Sequence, residues 1–462
     1  MNHIEKNGEY VGVVSKMGAN GEGIIKENGC TVFVPFVLIG EKVRYKVLKV
    51  KGGIAFGKAT EICAPAEERV RPKCKVYEKC GGCQLQHLKY KLQLALKSRI
   101  VKDCLSKIAF IDADVPACVR SDLEYGYRNK LQLPVRATEY GVTVGFFAQN
   151  SHRIVPISDC PIQPEWCGKI ISAVKKYVSE YGVSAYDEKT ESGIVKHVVV
   201  RDVSGKLIIT VVANGDELPE SDGLIRILRE QFKVFSLYLN INKRNDNVIL
   251  GEKFVRLYGK NKYAARDLGV KYEVGPESFV QINDGVRRRI YQDALKYSET
   301  DENTTVIDAY SGAGMLTAIF AKKSKKAIGV EIVKEAVNIA DDLKKLNGLN
   351  GVMENVCAPC EEVLPEIMAK ERKENSKCVL VLDPPRQGID GKIIEAIKAS
   401  VPDRIIYISC SPQTLSRDLG LIVGTLERKG DALVKSEVAS GGYEIETIKT
   451  YDMFPQTKHV ET

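Results

Sequence analysis

Long apolar runs are missing from this 462-residue chain. No stretch of about 18 consecutive apolar residues occurs, so a membrane-spanning helix is not expected. The first residues, MNHIEKNGEYVG, lack the apolar core that a secretory signal peptide needs. We therefore expect a cytoplasmic protein that does not associate with a membrane. Its 13 cysteines would then be reduced thiols, and clustering among them indicates metal binding or catalysis rather than disulfides.

Acidic residues are missing from positions 42–58, and positions 69–102 hold ten lysines and arginines against the single acid Glu78. The net charge of the whole chain is only +8, so these stretches are local concentrations of positive charge. Basic stretches of this kind suit a polyanion such as RNA. Taken alone, each stretch is equally consistent with a solvated lysine surface.

The length is too great for one core and indicates a multidomain α/β protein of two or three domains. Short alternating strands with glycine turns predict an OB-like β-barrel over 1–62. Strand-like runs predict a central β-rich domain over 63–273, with a helix within 84–104. From 274 to 462, strands and helices alternate, which predicts a Rossmann-like, doubly wound α/β domain.

A complete dinucleotide fingerprint is also missing. The strand TTVIDAY leads into SGAGML, where G-A-G lacks the third glycine of G-x-G-x-x-G. The next strand, KAIGV, ends in Glu331, whose carboxylate can accept hydrogen bonds from both hydroxyls of a ribose. This spacing favours S-adenosylmethionine, with an ordinary strand-to-helix turn as the alternative.

Two later strands end in residues capable of chemistry. The run CVLVLDPPRQGID breaks at Asp383, because two prolines cannot continue a central strand. The run IIYISCSP breaks just after Cys410. Open α/β sheets hold their active sites at the carboxyl ends of the strands. We therefore expect Asp383, Arg386 and Cys410 at one edge of the sheet, opposite the cofactor loop.

The cysteines cluster in one basic segment, Cys74-x5-Cys80-x2-Cys83, and Cys160 lies far along the chain. Four thiolates can ligate either an iron–sulfur cluster or a zinc ion. Zinc sites more often contain two C-x2-C units, and the second unit is missing. Spacing alone leaves the metal undecided, and Cys63 and Cys167 compete as the fourth ligand.

Several motifs together resemble the RNA uracil-5-methyltransferase family, S-adenosylmethionine-dependent enzymes that make 5-methyluridine in ribosomal or transfer RNA. The resemblance covers nearly the whole chain, and the barrel resembles the RNA-binding TRAM domain of that family. The motifs, in the order of the family, are YRNK (127–130), SFVQIN (278–283), DAYSGAG (308–314), LDPPRQG (382–388), ISCSP (408–412) and MFPQTKHVE (453–461).

The resemblance implies a role for each candidate residue. Cys410 would be the nucleophile and Glu461 the base. Residues lining the methyl-donor and uracil site would be Gln281, Tyr310, Glu331 and Asp383. A [4Fe-4S] cluster would be held by Cys74, Cys80, Cys83 and Cys160. The implied substrate is 23S ribosomal RNA, bound by a monomeric enzyme, because transfer-RNA members commonly lack both the barrel and the cluster.

Signatures of other methyltransferases are missing. RNA cytosine-5 enzymes usually carry a second cysteine after the aspartate-proline, and amino-group enzymes usually carry an aromatic residue after the prolines; here Arg386 follows Pro385. Three alternatives stay open: a transfer-RNA substrate, an RNA-binding protein with an inactive methyltransferase domain, and an iron–sulfur redox sensor. Intact Cys410, Asp383 and Glu461 argue against the second.

Two positions depart from the family pattern. Relatives often have an acid near residues 358–360, where this chain has Ala358-Pro359-Cys360, so the contact to the adenine side of the donor is not predicted. Many relatives also continue beyond the equivalent of Glu461 into a further strand, whereas this sequence stops at Thr462. We therefore expect Glu461 to lie on a frayed end.

Overall fold

The N-terminal part of the chain forms a closed five-stranded barrel with the strand order β1-β2-β3-β5-β4. The computed structural model describes residues 4–27, 29–139, 141–373, 377–430, 432–437 and 442–462. Alternate side chains point into the barrel, so that Val32, Val34, Val43 and Val47 are fully buried. The predicted small barrel is therefore present. Its strands are β1 (Glu9–Met17), β2 (Gly23–Glu27), β3 (Cys30–Val34), β4 (Lys42–Lys51) and β5 (Ile54–Ala64).

The segment after the barrel leads into helix α1 (Tyr90–Cys104), which continues as a short π-helix (Leu105–Ala109). The helix predicted within residues 84–104 is present and begins at Tyr90. Residues 84 and 85 instead donate their backbone amides to the carbonyl of Gln456, so they cannot belong to the helix. Leu85 and Leu88 pack with Met17 of the barrel in one apolar cluster.

The central part contains a seven-stranded sheet with the order β12-β11-β10-β9-β6-β7-β8. Helices α2 and α3 cover one face, where Leu133, Val200, Ile209 and Leu237 form the core. The mixed sheet confirms the strand-rich character predicted for this region. Its elements are β6 (Lys130–Thr138), β7 (Gly141–Phe147), β8 (Ile154–Pro156), α2 (Trp166–Glu180), β9 (Val195–Val203), β10 (Lys206–Ala213), α3 (Ser221–Gln231), β11 (Phe235–Ile241) and β12 (Lys253–Tyr258).

The C-terminal part is a five-stranded parallel sheet, preceded by a β-hairpin and followed by another. The order β17-β16-β15-β18-β19 places β15 at the centre, with β16 and β17 on one side and β18 and β19 on the other. The elements are β13 (Tyr263–Asp267), β14 (Val270–Val274), α4 (Asp284–Ser298), β15 (Thr304–Ala309), α5 (Met315–Ala321), β16 (Lys326–Glu331), α6 (Lys334–Leu346), β17 (Met353–Cys357), α7 (Cys360–Lys373), β18 (Lys377–Leu382), α8 (Gly391–Ser400), β19 (Arg404–Tyr407), α9 (Pro412–Val423), β20 (Leu426–Lys429) and β21 (Ala432–Lys435).

Parallel pairing between two layers of helices buries the central strands of this sheet. All six residues of β15 are buried, as are the last five of β18, because helices cover both faces. Polar side chains that can reach a ligand then lie where the strands end, at the carboxyl edge. Within the described residues, no helix has the length and apolar character needed to cross a membrane.

Candidate active site

The thiol and the first carboxylate predicted for the chemistry come from two adjacent strands. β18 and β19 pair in parallel, with Leu382 opposite Tyr407. Asp383 follows β18 directly, and Cys410 lies just beyond β19, so both emerge at the carboxyl edge. The Ile408 amide donates to the Leu382 carbonyl at 2.7 Å, which keeps the two segments paired up to the turn.

The end of the described chain returns to this edge and brings Glu461 to it. Ser409 and Thr462 exchange two backbone hydrogen bonds of 3.0 and 2.9 Å, and Tyr451 and Glu461 exchange two of 2.7 and 3.1 Å. Glu461 is only 6% exposed. The expected frayed end is therefore wrong, because backbone pairing to Ser409 and Tyr451 holds the last two residues in place.

Burial and like charge perturb the pKa values at this edge. Burial, with a smaller contribution from Asp383, raises the pKa of Glu461 to about 8. Burial raises the pKa of Asp383 to about 6. The pKa of the Cys410 thiol is raised by burial and by both carboxylates, whereas the Arg386 guanidinium lowers it. Arg386 thus favours the thiolate, which is the reactive form of a cysteine.

The turn between β15 and α5 adopts a backbone that few side chains tolerate. Tyr310, Gly312 and Gly314 have φ angles of +63°, +53° and +76°. The glycines adopt this conformation without strain, but Tyr310 does not, and strained residues of this kind concentrate at ligand sites. A β-carbon at Gly314 would lie 2.7 Å from the β-carbon of Ala340, so only glycine fits there.

Glu331 closes the same turn from the neighbouring strand β16. Its carboxylate accepts the amides of Gly312 at 3.0 Å and Val333 at 2.8 Å. Beneath the turn, Asp308 accepts a hydrogen bond of 2.5 Å from the Thr317 hydroxyl, and burial raises the pKa of Asp308 to about 7. Asp308 was not among the predicted site residues, although an acid inside the apolar part of the DAYSGAG motif was a signal for it.

The YRNK and SFVQIN motifs contact each other. The Asn129 side-chain amide donates to the Gln281 carbonyl at 2.9 Å and to the Asp284 carboxylate at 3.1 Å. The Asn129 backbone amide donates to Ile282 at 2.9 Å. These bonds hold the segment that carries Gln281. In the same segment Phe279 is 73% exposed, so its ring can contact a ligand, and the sequence analysis did not identify it.

Residues 358–360, where this chain lacks the acid that relatives often have, lie between β17 and the start of α7. The Ala358 amide donates to the Glu331 carbonyl at 3.1 Å, which ties this stretch to the strand of Glu331. Cys360 begins α7 and is 3% exposed, and burial raises the pKa of its thiol to about 12. The stretch therefore offers backbone groups and a protonated thiol, not a carboxylate.

Helix α1 holds the loop that leads to Glu461. The Gln93 side-chain amide donates to the Gln456 side chain at 3.0 Å, and the Gln456 backbone amide donates back to Gln93 at 3.2 Å. Lys97 is fully buried, pairs with the fully buried Asp452, and donates to the Phe454 carbonyl at 3.1 Å. Because the partners are far apart in sequence, no local pattern pointed to this connection.

Three of the four cysteines named as metal ligands lie in one apolar cluster with Tyr77 and Tyr127. Cys83 is 9% exposed, and Cys74 and Cys160 pack against the same apolar cluster. Burial, reinforced by the other three thiols, raises the pKa of Cys83 to about 12. Cys80 and Cys83 lie far from Cys160 in the sequence. The four thiols are nevertheless close enough to interact electrostatically.

The two competing ligands differ in their surroundings. Cys63 is exposed on β5, and Cys167 is fully buried in the core of the central sheet, next to Cys160. Among the described side chains, no three thiol, imidazole or carboxylate groups are close enough together to hold one metal ion. The described part of the chain therefore contains no preformed metal site, either for zinc or for the expected [4Fe-4S] cluster.

Comparison with known proteins now decides the family. Residues 89–462 match the family model described as tRNA (uracil-5-)-methyltransferase. The chain belongs to this family. The resemblance drawn from the sequence motifs is thereby confirmed.

Relatives extend the similarity across the barrel. An uncharacterized RNA methyltransferase of Clostridium tetani is 37% identical over 99% of this chain and 96% of its own length. One from Oceanobacillus iheyensis is 36% identical over 99% of this chain and 96% of its own length. The crystal structure of Pyrococcus abyssi tRNA (uracil-54, C5)-methyltransferase with S-adenosyl-L-homocysteine covers 98% of both chains, with 25% identity and a TM-score of 0.75.

In this tRNA (uracil-5-)-methyltransferase family member, we expect Lys97→Met to destabilise the fold by roughly 3 kcal/mol or more, because it leaves the Asp452 carboxylate buried without its cation. Urea unfolding measures the loss. Lys91→Met, on the exposed side of the same helix, is the matched control and should change the free energy of unfolding by less than about 0.5 kcal/mol. Equal stability of both variants would contradict the buried ion pair.

Proposed function

We propose that this protein transfers a methyl group from S-adenosylmethionine to carbon 5 of a uridine in 23S ribosomal RNA, through a covalent adduct of Cys410. It would act as a monomer in the cytoplasm. The observation that supports the proposal most is the meeting of Cys410, Asp383 and Glu461 at one sheet edge, although the three residues come from separate motifs.

We propose that the C-terminal domain is Rossmann-like and binds the methyl donor at the turn between β15 and α5. The positive φ angles of Gly312 and Gly314 let the backbone approach a ligand closely. Glu331, whose carboxylate already lies against this turn, would accept the ribose hydroxyls. Tyr310 and Gln281 would line the same site. When bound, S-adenosylmethionine supplies the methyl group.

The residues at the edge can carry out the remaining chemistry. Carbon 5 of uracil is a poor nucleophile, and addition of the Cys410 thiolate to carbon 6 turns the ring into an enolate that is reactive at carbon 5. Arg386 favours the thiolate. Asp383 can accept the N3–H of uracil, a donor that cytosine lacks. After methylation, Glu461 would remove the proton from carbon 5, so that the thiolate is expelled.

The substrate could be ribosomal or transfer RNA, and each has its own support. The cysteine pattern favours 23S ribosomal RNA, as the family resemblance implies. Transfer RNA is the second candidate, because the Pyrococcus abyssi tRNA enzyme covers 98% of this chain, barrel included. The barrel therefore does not distinguish the two.

Mass spectrometric mapping of 5-methyluridine in cells lacking this protein tests the substrate. We expect one or more 5-methyluridines of 23S ribosomal RNA to be absent, with transfer RNA unchanged. If 5-methyluridine is lost only from transfer RNA, the assignment to ribosomal RNA is contradicted, whereas the proposed methylation of uridine carbon 5 is not. Unchanged 5-methyluridine in both RNAs would contradict the proposed function.

We also propose that Cys74, Cys80, Cys83 and Cys160 hold a [4Fe-4S] cluster with a structural role. A four-iron cluster can be ligated by four thiolates, one to each iron. A single zinc ion, in contrast, is ligated by all four thiolates at once. The family resemblance implies the cluster for this cysteine spacing, and the electrostatic contributions of Cys74, Cys80 and Cys160 at Cys83 support a shared ligand set. The cluster would tie the segment after the barrel to the central domain.

The protein purified without oxygen should be brown and contain about four iron and four sulfide per chain. Cys83→Ala should lose the colour and the iron, because a cubane needs its thiolate ligands. Cys63→Ala, at an exposed thiol of the barrel, is the matched control and should keep both. Iron and sulfide analysis and the visible spectrum measure the result. A colourless protein with stoichiometric zinc would contradict the cluster but not the catalytic assignment.

A further inference from the structure

Two phenylalanines lie side by side on the outside of the barrel. Phe33 of β3 is directly opposite Phe56 of β5, and their rings stack with centroids 5.7 Å apart and planes 23° apart. Phe56 is 47% exposed, and its neighbour on the same face, Ile54, is 41% exposed. We call Phe33, Phe56 and Ile54 the phenylalanine platform. Large apolar side chains grouped on a surface mark a site of interaction.

Lysines border the phenylalanine platform. In the pairing of β4 with β5, Lys49 lies opposite Phe56 and Lys51 lies opposite Ile54. Both lysines are exposed. Across the described part of the chain, neither forms a salt bridge with an acid, whereas Arg44 of the same strand pairs with Glu61 at 3.1 Å. The lysines beside the rings thus keep their charge available for a ligand.

The exposed phenylalanine rings and the unpaired lysines together indicate which class of ligand binds this surface. Flat aromatic faces bind unpaired bases by stacking, and lysines alongside bind the phosphates that join them. A protein partner of matching apolar shape would not need two unpaired lysines at the border. Charge complementarity therefore favours single-stranded RNA over a protein.

We propose that the phenylalanine platform binds an unpaired nucleobase of the RNA substrate by stacking, while Lys49 and Lys51 hold the adjoining phosphates. This inference rests on the proposed function for the identity of the RNA, and adds a second binding point on a different domain from Cys410. It assigns the barrel a role in selecting RNA that has an unpaired segment in addition to the modified uridine.

Binding of a fluorescent single-stranded oligouridine to the full chain, followed by anisotropy at several salt concentrations, tests the platform. Phe33→Leu/Phe56→Leu removes the rings and keeps apolar side chains. We expect it to weaken binding about tenfold at every salt concentration, with the salt slope unchanged, since a stacked base contributes a non-ionic share of affinity. Phe56→Trp, which preserves a stacking ring, should bind like the unchanged protein.

Two further variants separate the contributions. Lys49→Ala/Lys51→Ala should reduce the salt slope by about 1.4, because each phosphate contact to a single strand contributes about 0.7. Val13→Ala, at a residue of β1 that is 56% exposed outside the platform, should bind within twofold of the unchanged protein. Thermal unfolding of all variants checks that the barrel remains folded.

Three results overturn the platform: no binding of oligouridine by the unchanged protein, equal affinity in the double leucine variant, or an equal loss in Val13→Ala. Failure of the proposed function gives a different result, namely no 5-methyluridine from the unchanged protein with any RNA. If the unchanged protein methylates RNA while the double leucine variant binds oligouridine normally, the platform is wrong and the enzyme assignment stands.

Discussion

Cys410→Ala should abolish methyl transfer, by a factor of about 10³ or more, while S-adenosylmethionine binding stays within about twofold. In the proposed mechanism the thiol attacks uracil and not the donor, so its removal takes away the covalent step and leaves the turn between β15 and α5 intact. Transfer of labelled methyl groups to RNA measures the first effect, and calorimetric titration with the donor measures the second.

Cys357→Ala is the matched control for the nucleophile. Cys357 is an exposed thiol at the end of β17, in the same sheet, and does not share the surroundings of Cys410. We expect this variant to retain turnover close to that of the unchanged protein. Normal turnover in Cys410→Ala would remove the covalent mechanism altogether.

Glu461→Gln should let the adduct form but prevent its breakdown, so that a protein–RNA conjugate accumulates on a denaturing gel. Glutamine keeps the size of the side chain and cannot accept the proton of carbon 5. We expect most of the enzyme to be trapped within one turnover when RNA and donor are in excess. If Cys410 is active and no conjugate accumulates, Glu461 is not the base.

The raised pKa of Glu461 supplies a readout that is independent of RNA. A buried carboxyl with a pKa of about 8 binds its proton more tightly in the folded than in the unfolded state. Its contribution to stability is therefore full below the ordinary value near 4.5 and is lost as the pH rises through about 8. Relative to the unchanged protein, Glu461→Gln should gain thermal stability as the pH rises from about 4.5 to about 8.

Local sequence patterns were sufficient for the strand tips of the C-terminal sheet. Asp383 is followed by two prolines and Cys410 by Ser411 and Pro412, and these breaks place both residues where the buried strands end. The alternation of apolar and polar residues likewise predicted the barrel, because its inward side chains are buried and its outward ones are not. These features depend on neighbours in sequence.

Contacts between distant segments could not be predicted in this way. The Lys97–Asp452 pair joins helix α1 to the loop of Glu461, and neither residue carries a local signal of its partner. The frayed end was wrong for the same reason, since the pairing of Thr462 with Ser409 arises only once the sheet has formed. The phenylalanine pair of the barrel also depends on strand register, which brings Phe33 beside Phe56.

The covalent step at Cys410 is the central claim, and an RNA substrate containing 5-fluorouridine tests it most directly. Fluorine replaces the hydrogen at carbon 5, and Glu461 cannot remove it as a proton, so the adduct should persist after methyl transfer. Peptide mass spectrometry should then find the methylated 5-fluorouridine nucleotide attached to Cys410 when donor and RNA are both present. Absence of a conjugate from an enzyme that methylates ordinary RNA, or attachment at another cysteine, would contradict the mechanism.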